Sequence, residues 1–283
     1  MSDAHHLLEE VVTADVTRAL AEDVAGGDLT ARLIPESRGA QARLMTRQDG
    51  VLCGVEWFNR TFDELDPEAE IFWHHKDGDE IVANSSLCEV EGHARAMLTA
   101  ERTALNFVQL LSGVATKARQ YVKAIEGTRA RIYDTRKTLP GLRQAQKYAV
   151  RAGGAQNHRI GLYDGILIKE NHIVAAGGIR QAVQRALHDV PQDTMLQVEV
   201  ESLSQLGEAL DAGAKLILLD NFDLPRMREA VQVAGDRAEL EASGGITLQN
   251  VRDIAQTGVH RISVGSLTKD IKALDLSMRF IHH

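Results

Sequence analysis

Between residues 130 and 266 the chain repeats one pattern six times: a short apolar run and then a segment with helical periodicity. The predicted strands cover 130–134, 164–169, 195–200, 215–220, 238–243 and 260–265. Alternating strands and helices favour parallel strands joined by right-handed crossovers, and such apolar strands are typical of a sheet covered on both faces. The pattern predicts an incomplete parallel α/β barrel, with an open doubly wound sheet as the alternative. No GxGxxG or GxxxxGK[ST] nucleotide-binding motif follows a predicted strand.

The residues before 130 have a different sequence pattern, without the regular repeat. Up to about residue 95 they mix strand-like runs with predicted helices at about 7–22 and 55–65. Residues 96–125 have a helical period, which Ser112-Gly113 is predicted to interrupt. At 283 residues and about 150 residues per domain, the chain is expected to form two domains or one large one.

Composition excludes several classes of function. The formal net charge of -8 and the pI of about 5.8 give no bulk attraction to nucleic acid or to anionic lipid. No apolar run has the length of a signal or membrane-spanning segment. Cys53 and Cys88 are the two cysteines and form no CxxC pair, which argues for a reducing compartment. We expect a cytoplasmic protein without nucleic-acid or membrane partners.

Polar and glycine residues follow nearly every predicted strand of the repeat. In a parallel barrel the carboxyl ends of the strands form the working face. The residues at these ends are Arg136, Lys137, Lys169, Glu170, Glu199, Glu201, Asp220, Asn221, Ser243, Gly244, Gly245, Gly265 and Ser266. The pattern indicates a site able to bind an anion, a metal-bound phosphate or a sugar hydroxyl.

The last two strand ends point to phosphate. Small residues let backbone N–H groups approach a ligand, and a helix predicted to begin near Thr247 would direct its positive end to the same place. Glycine loops after the final strands are a frequent phosphate site in barrels. Taken alone, Ser243-Gly244-Gly245 is a weak signal that also fits a tight turn, but Gly265-Ser266 one unit later favours phosphate.

The charged strand ends allow two interpretations. Lys169 ends an apolar run, so its ammonium would be partly desolvated and would need an opposite charge. Glu199 and Asp220 could supply that charge as structural partners, or a substrate with several negative charges could do so. The same two carboxylates could hold Mg²⁺ directly, through water or through phosphate. No HExxH motif or close His/Cys set is present, so a zinc site is not expected.

Several motifs in one order resemble the quinolinate phosphoribosyltransferase family, also called nicotinate-nucleotide pyrophosphorylase (carboxylating). They are ERTALN with the following SGVAT, DTRKTLPGLR, NHRIGLYDGILIKENHI, VEVESL, LLDNF and SGGI. The likeness runs from the early EDVAGGDLT to the late VGSLT. Ala155 stands in the stretch before NHR where family members often have a third glycine.

The resemblance implies a fold and a reaction. The expected fold is an N-terminal α/β sandwich-like domain over 1–113, joined by the C-terminal segment 267–283, with the barrel and the active site over 114–266. The expected reaction joins quinolinate and phosphoribosyl pyrophosphate, with Mg²⁺, to give nicotinate mononucleotide, pyrophosphate and CO₂. The expected assembly is a homodimer with shared active sites, or a higher oligomer.

The resemblance also implies residue roles. The residues expected to bind quinolinate are Arg102 from the neighbouring subunit, Thr135, Arg136, His158 and Arg159. The residues expected to carry catalysis are Lys137, Lys169, Glu199 and Asp220, of which Glu199 and Asp220 would also address Mg²⁺. The residues expected to bind phosphoribosyl pyrophosphate are these four with Ser243, Gly244, Gly245, Val264, Gly265 and Ser266.

Two rivals remain. One is a paralogue of the kind associated with molybdenum transport, which would be expected to lack part of the set Arg102, Arg136, His158 and Arg159. The other is a non-catalytic phosphate-binding protein, which would bind phosphoribosyl pyrophosphate without turnover.

Overall fold

A computed structural model of the chain describes residues 2–189, 191 and 194–281. Backbone contacts divide the chain into two compact units. The first unit contains Met1–Arg119, Thr138–Gly154 and Asp270–His283, and the second contains Gln120–Lys137 and Ala155–Lys269. The domain boundary expected at residues 113 and 114 stays a prediction. Residues 1, 282 and 283 of the predicted N-terminal domain and 190, 192 and 193 of the predicted barrel domain lie outside the described residues.

The first unit is built on an antiparallel sheet, with strands and helices numbered here along the whole chain. Its strands are β1 (Gly39–Thr46), β2 (Gly50–Val51), β3 (Glu70–Trp73), β4 (Glu80–Ile81), β5 (Ser86–His93) and β12 (Leu276–Phe280). Four of them form a sheet in the order β12-β1-β5-β3, and β2 pairs with β4. Leu44 of β1 lies opposite Met278 of β12, so a strand from the end of the chain completes the sheet.

Helices cover this sheet and pack beside it. They are α1 (Ser2–Asp23), α2 (Val55–Asp63), α3 (Ala94–Ala124) and α4 (Arg143–Ala152). Met97, Leu105 and Val108 of α3 share one buried cluster with Leu44 and Met278 of the sheet. This apolar burial is the main favourable term in forming the core of the first unit.

The predicted interruption of α3 at Ser112-Gly113 is wrong, because the helix runs unbroken through both residues. Ser112 Oγ accepts from the Cys53 backbone N–H at 2.9 Å and donates to the Cys53 carbonyl at 3.1 Å. A Cβ at Gly113 would lie 2.3 Å from the carbonyl oxygen of Lys272. The two small residues therefore serve close packing of the helix and do not break it.

The second unit is a parallel six-stranded sheet, which confirms the predicted incomplete α/β barrel. Its strands are β6 (Arg131–Tyr133), β7 (Gly165–Ile168), β8 (Met195–Val200), β9 (Leu216–Asp220), β10 (Glu239–Ser243) and β11 (Arg261–Ser263). They pair in the order β6-β11-β10-β9-β8-β7. This is chain order taken around a ring, without the reversal that defines a doubly wound sheet. The ring lacks a β6–β7 ladder, and Gln156 instead makes a single parallel bridge to Tyr133.

Short helices follow the strands of the second unit. They are α5 (Glu170–Ala176), α6 (Ile179–Asp189), α7 (Leu203–Asp211), α8 (Leu224–Ala234), α9 (Val251–Ala255) and α10 (Ser266–Lys269). The helix predicted to begin near Thr247 begins instead at Val251, because residues 247–250 form a turn in which Asn250 Oδ1 accepts from the Thr247 N–H. No helix among the described residues is both long and apolar enough to span a membrane.

Candidate active site

A cavity of about 180 Å³ opens at the carboxyl ends of the strands of the second unit. It is lined by Thr135, Arg136, Lys137, His158, Arg159, Leu167, Lys169, Glu199, Leu218, Glu241, Ser243 and Ser263. Eight of these twelve residues were predicted from the sequence as site residues. Chemistry rather than size selects this cavity, because a larger one of about 750 Å³ in the first unit has no comparable cluster of cations in its lining.

Strand register explains why residues from separate strands face one space. Glu199 of β8 lies opposite Leu218 of β9, and Leu218 lies opposite Glu241 of β10. Asp220 and Ser243, two residues further along β9 and β10, form the next pair. Since side chains alternate with a period of two along a strand, all five point to the same side of the sheet. That side is the interior of the barrel.

Two guanidinium groups lie close together in this cavity. Burial, and then the nearby positive charge of Arg136, lower the pKa of Arg159 from its ordinary value. Arg159 Nη1 donates to the carbonyl of Gly165 at 2.9 Å, whereas its buried Nε has no hydrogen-bond partner. Holding two positive charges close together in a partly desolvated site costs free energy unless an anion binds to them. The pair therefore forms a binding position for a group with negative charge.

The two lysines of the cavity have different surroundings. Lys169 Nζ lies 3.3 Å from Glu199 Oε2. This is the structural pairing considered from the sequence, although about half of the Lys169 side chain is exposed. Lys137 is exposed, and its stem lies against Gly265, where an added Cβ would be 3.1 Å from Lys137 Cδ. His172 Nδ1 accepts the Lys169 backbone N–H at 3.0 Å and caps α5.

The glycine loop after β10 has a backbone that few other residues could adopt. Gly244 has a φ of 96° and Gly245 a φ of 60°. A Cβ at Gly244 would lie 2.1 Å from Asn221 Oδ1. Asn221 itself has a positive φ of 54°, and its Nδ2 donates to Asp220 Oδ2 at 3.0 Å. Asn221, in the loop after β9, therefore packs against Gly244, in the loop after β10, and both residues have a backbone conformation in the left-handed region.

Two acidic residues at the strand ends, Glu199 and Asp220, fit the oxygen donors that Mg²⁺ prefers. Glu199 and Asp220 end adjacent strands on the interior face, and Asp220 is partly exposed. Mg²⁺ is commonly bound by one or two carboxylates, with the remaining positions taken by water and substrate phosphates. No group of three or more His, Cys, Asp or Glu residues suited to a metal occurs in the described ranges. A site made of two carboxylates and a substrate agrees with both facts.

Beneath the cations lies a buried polar floor that sequence reasoning missed. Glu241 and Gln197 are fully buried, and Arg261 lies beside them with its Nε 3.0 Å from Glu241 Oε2. The guanidinium of Arg261 also stacks 3.8 Å above the ring of Tyr133. The available signal was the alternation in MLQVEV and AELEAS, which places polar residues on one face of strands inside an α/β fold.

A second buried carboxylate, Asp134, orients the segment that carries His158 and Arg159. Asp134 Oδ1 accepts from the His158 backbone N–H at 2.7 Å, and Oδ2 accepts from Asn157 Nδ2 at 2.6 Å. The Asp134 backbone N–H donates to the carbonyl of Gln156. The end of β6 and the start of the NHR motif are therefore fixed to each other.

The remaining predicted site residues lie outside the lining of this cavity. Val264 is buried and donates its N–H to the carbonyl of Tyr133, and Ser266 Oγ lies 3.5 Å from the hydroxyl of Tyr121. Asp220 is the last residue of β9, and Gly244, Gly245 and Gly265 lie on loops at the same end of the sheet. Arg102 is exposed on α3 in the first unit.

Comparison with known proteins identifies the family. The model of the quinolinate phosphoribosyl transferase N-terminal domain matches residues 28–112, and the model of the C-terminal domain of that family matches residues 114–279.

Among similar curated proteins, one from Bacillus subtilis (strain 168), named "Probable nicotinate-nucleotide pyrophosphorylase [carboxylating]", is 42% identical over 91% of this chain and 89% of its own length. One from Mycobacterium leprae, named "Nicotinate-nucleotide pyrophosphorylase [carboxylating]", is 42% identical over 93% of this chain and 95% of its own length. The solved structure of the nicotinate-nucleotide pyrophosphorylase from Francisella tularensis superposes with a TM-score of 0.94 at 45% identity and covers 96% of this chain and 97% of its own. This chain belongs to the quinolinate phosphoribosyl transferase family.

Proposed function

We propose that this chain transfers the phosphoribosyl group of phosphoribosyl pyrophosphate to quinolinate and decarboxylates the product. The products are nicotinate mononucleotide, pyrophosphate and CO₂, a reaction of NAD biosynthesis de novo. Family membership supports this assignment. The observation that carries it is the pair Arg136 and Arg159, which lie in one cavity with Lys137 and Lys169.

Quinolinate is a planar dianion, and its binding is assigned to the cation-rich wall of the cavity. Guanidinium groups suit carboxylates because their N–H groups form a fixed fork. Arg136 and Arg159 would each bind a carboxylate, and the unpartnered Nε of Arg159 supports this role. Thr135 and His158 belong to the same proposed site, as does Arg102 of a neighbouring subunit.

The binding of phosphoribosyl pyrophosphate is assigned to the lysines and carboxylates of the site. Cleavage of the bond between C1 and pyrophosphate develops positive charge on the ribose and negative charge on the leaving group. Carboxylates near the sugar and ammonium groups near the pyrophosphate stabilise these charges as they form. We assign the first role to Glu199 and Asp220 and the second to Lys137 and Lys169.

The 5′-phosphate would lie against the loops after β10 and β11, Ser243-Gly244-Gly245 and Val264-Gly265-Ser266. The positive φ of Gly244 supports this role, because glycine lets backbone N–H groups come close to a phosphate.

Mg²⁺ is proposed as the metal of the reaction, held by Glu199 and Asp220 together with substrate oxygens. When bound, it would neutralise charge on the pyrophosphate. The protein side of this role is the pair of carboxylates at adjacent strand ends, and Asn221 orients one of them by donating to Asp220.

Decarboxylation needs little further protein chemistry. Once the ring nitrogen carries ribose, it is cationic, and its positive charge stabilises the electron pair that stays on C2 when the C–C bond to CO₂ breaks. A proton then adds at C2 to complete the nicotinate ring. The proposed contribution of Arg136 and Arg159 is to hold the ring so that this step takes place in the cavity.

Three further properties are proposed here. We infer a homodimer that shares its active sites, because Arg102 is exposed on α3 and the family resemblance assigns it to a neighbouring subunit. We infer a cytoplasmic location, and the two buried and unpaired cysteines support a reducing compartment. The expected domains, 1–113 with 267–283 and 114–266, complete the proposal.

The function is tested by incubating the purified chain with quinolinate, phosphoribosyl pyrophosphate and Mg²⁺. We expect release of CO₂ and formation of nicotinate mononucleotide, and loss of both when the metal is chelated. Arg159→Ala should raise the KM for quinolinate by at least about tenfold, because removal of one partner of a charged contact costs ~1.5–3 kcal/mol. Binding of phosphoribosyl pyrophosphate without turnover, by a folded protein, would instead favour a non-catalytic phosphate-binding protein.

A further inference from the structure

Three buried side chains beneath the proposed quinolinate site and the backbone N–H of Arg159 form one continuous series of hydrogen bonds. The Arg159 backbone N–H lies 2.8 Å from His158 Nδ1, and His158 Nε2 lies 2.8 Å from Gln197 Oε1. Gln197 Nε2 donates to Glu241 Oε2 at 3.0 Å. Glu241 and Gln197 are fully buried and His158 is 8% exposed, so these groups have little access to solvent.

The Glu241 end of this hydrogen-bond series determines which atom is the donor and which the acceptor in every one of its bonds. The Glu241 carboxylate, beside Arg261, can only accept, so the amide NH₂ of Gln197 must face it and the amide oxygen must face His158. His158 must then carry its proton on Nε2. With Nε2 protonated, the neutral ring keeps a lone pair on Nδ1, and this lone pair accepts the Arg159 N–H.

We propose that Gln197 is a positioning residue that fixes the Nε2–H tautomer of His158, and through it the backbone from which Arg159 enters the cavity. Glu241, which also lines the cavity, sets the orientation of Gln197. Loss of Gln197 would leave the His158 ring without its Nε2 partner, whereas Glu241 would keep its ion pair with Arg261. A direct bond from His158 to a substrate carboxylate would require the ring to leave Gln197. This inference rests on the proposed function for the identity of the substrate.

The central variant is Gln197→Met, which keeps the volume of the side chain and removes both of its hydrogen bonds. We expect the KM for quinolinate to rise by about tenfold, equivalent to ~1.4 kcal/mol, while the KM for phosphoribosyl pyrophosphate stays within about twofold, because Arg159 is assigned to quinolinate alone. Calorimetric binding of quinolinate should weaken by the same factor. Gln109→Met is the matched control, since Gln109 lies on α3 in the first unit and its side-chain amide donates to the Leu276 carbonyl; it should leave both KM values unchanged.

A readout independent of turnover is the ¹⁵N spectrum of histidine-labelled protein, with the His158 signals assigned from His158→Gln. The unmodified chain should show His158 as a single Nε2-protonated tautomer at mildly alkaline pH, and Gln197→Met should show exchange between the two neutral tautomers. Glu241→Gln is the second variant, because a carboxamide can donate as well as accept and so no longer forces one orientation on Gln197.

The outcomes distinguish failure of the proposed function from failure of the positioning role of Gln197. Absence of turnover by the unmodified chain would contradict the proposed function but not the tautomer assignment. Normal turnover together with unchanged quinolinate affinity in folded Gln197→Met would overturn the positioning role, as would a mixed or Nδ1-protonated His158 in the unmodified chain. Failure of both Gln197→Met and Glu241→Gln to fold, with Gln109→Met folded, would show that these groups serve stability instead.

Discussion

Gly244 is the single position at the candidate site where the structure most narrowly limits the side chain. Its φ of 96° lies in the left-handed region, and the space that a Cβ would need is occupied by Asn221 Oδ1 at 2.1 Å. Gly245, the next residue, has a φ of 60° but nothing within 4 Å of the same Cβ position. The two neighbours therefore separate the cost of the backbone conformation from the cost of the contact.

Gly245→Ala should lower the free energy of unfolding by about 1–2 kcal/mol, the cost of placing a side chain in the left-handed region. Gly244→Ala should lower it by more, because Asn221 must also move, and the displacement of Asn221 releases its bond to Asp220. We expect the KM for phosphoribosyl pyrophosphate to rise more in Gly244→Ala than in Gly245→Ala. Urea unfolding and steady-state kinetics of both variants measure these differences, and equal effects would contradict the role given to the Asn221 contact.

At the scale of single elements, the structure corrects the sequence most clearly in α3. Serine and glycine in succession predict a break in a helix, and the 31-residue helix continues through them. Ser112 bonds to both backbone groups of Cys53, and Gly113 faces the carbonyl of Lys272. Small residues within a helix thus mark the place where two other segments of the chain approach it.

A pair of glycines inside helices provides the test of this interpretation. Gly113→Ala should lower the free energy of unfolding by ~1–3 kcal/mol, as overpacking does, because the new methyl group would lie 2.3 Å from a backbone oxygen. Gly207→Ala, in α7, should instead raise it by about 0.5–1 kcal/mol, because nothing lies within 4 Å of the added Cβ. Chemical denaturation of the two variants checks the opposite signs, and a stabilising Gly113→Ala would contradict the packing explanation.

At the scale of the whole molecule, one site is assembled from the ends of several strands. The cavity of the second unit takes its lining from the ends of β6 to β11 and from the loop before β7. Parallel strands bring their carboxyl ends to one side, so residues more than a hundred positions apart in sequence, such as Thr135 and Ser263, meet there. The cations lie on the β6 and β7 side, and the glycine loops follow β10 and β11.

The proposed shared site gives a prediction about the assembled protein. Arg102→Ala and Lys137→Ala should each be nearly inactive alone, but a mixture of the two after subunit exchange should recover part of the activity. In a heterodimer one of the two sites would receive both intact residues, so recovery should approach about a quarter of the unmodified activity when exchange is random among dimers. Activity is measured after verified exchange of differently tagged subunits. A mixture that exchanges but stays inactive would contradict the shared site.

Residues with strong local signals were predictable. The six apolar runs became the six strands of the parallel sheet to within about two residues, because strand and helix periodicities differ and the repeat is regular. Arg136 and Lys137, adjacent in the segment after β6, have different neighbours: Arg136 lies near Arg159 and Lys137 lies against Gly265.

The sequence by itself determined the alternation of strands and helices, and with it the parallel barrel and the side on which its charged and glycine residues gather. Only the tertiary structure decided which polar residues lie inside the barrel, that Gln197 joins His158 to Glu241, and that β12 completes the first sheet beside β1. The physical reason is that periodicity is a property of neighbouring residues, whereas register and burial depend on partners distant in the chain. A shift of one residue in register would exchange the inner and outer faces of a strand. The alternation in QVEV and LEAS groups the polar residues on one face but does not specify which face is the interior.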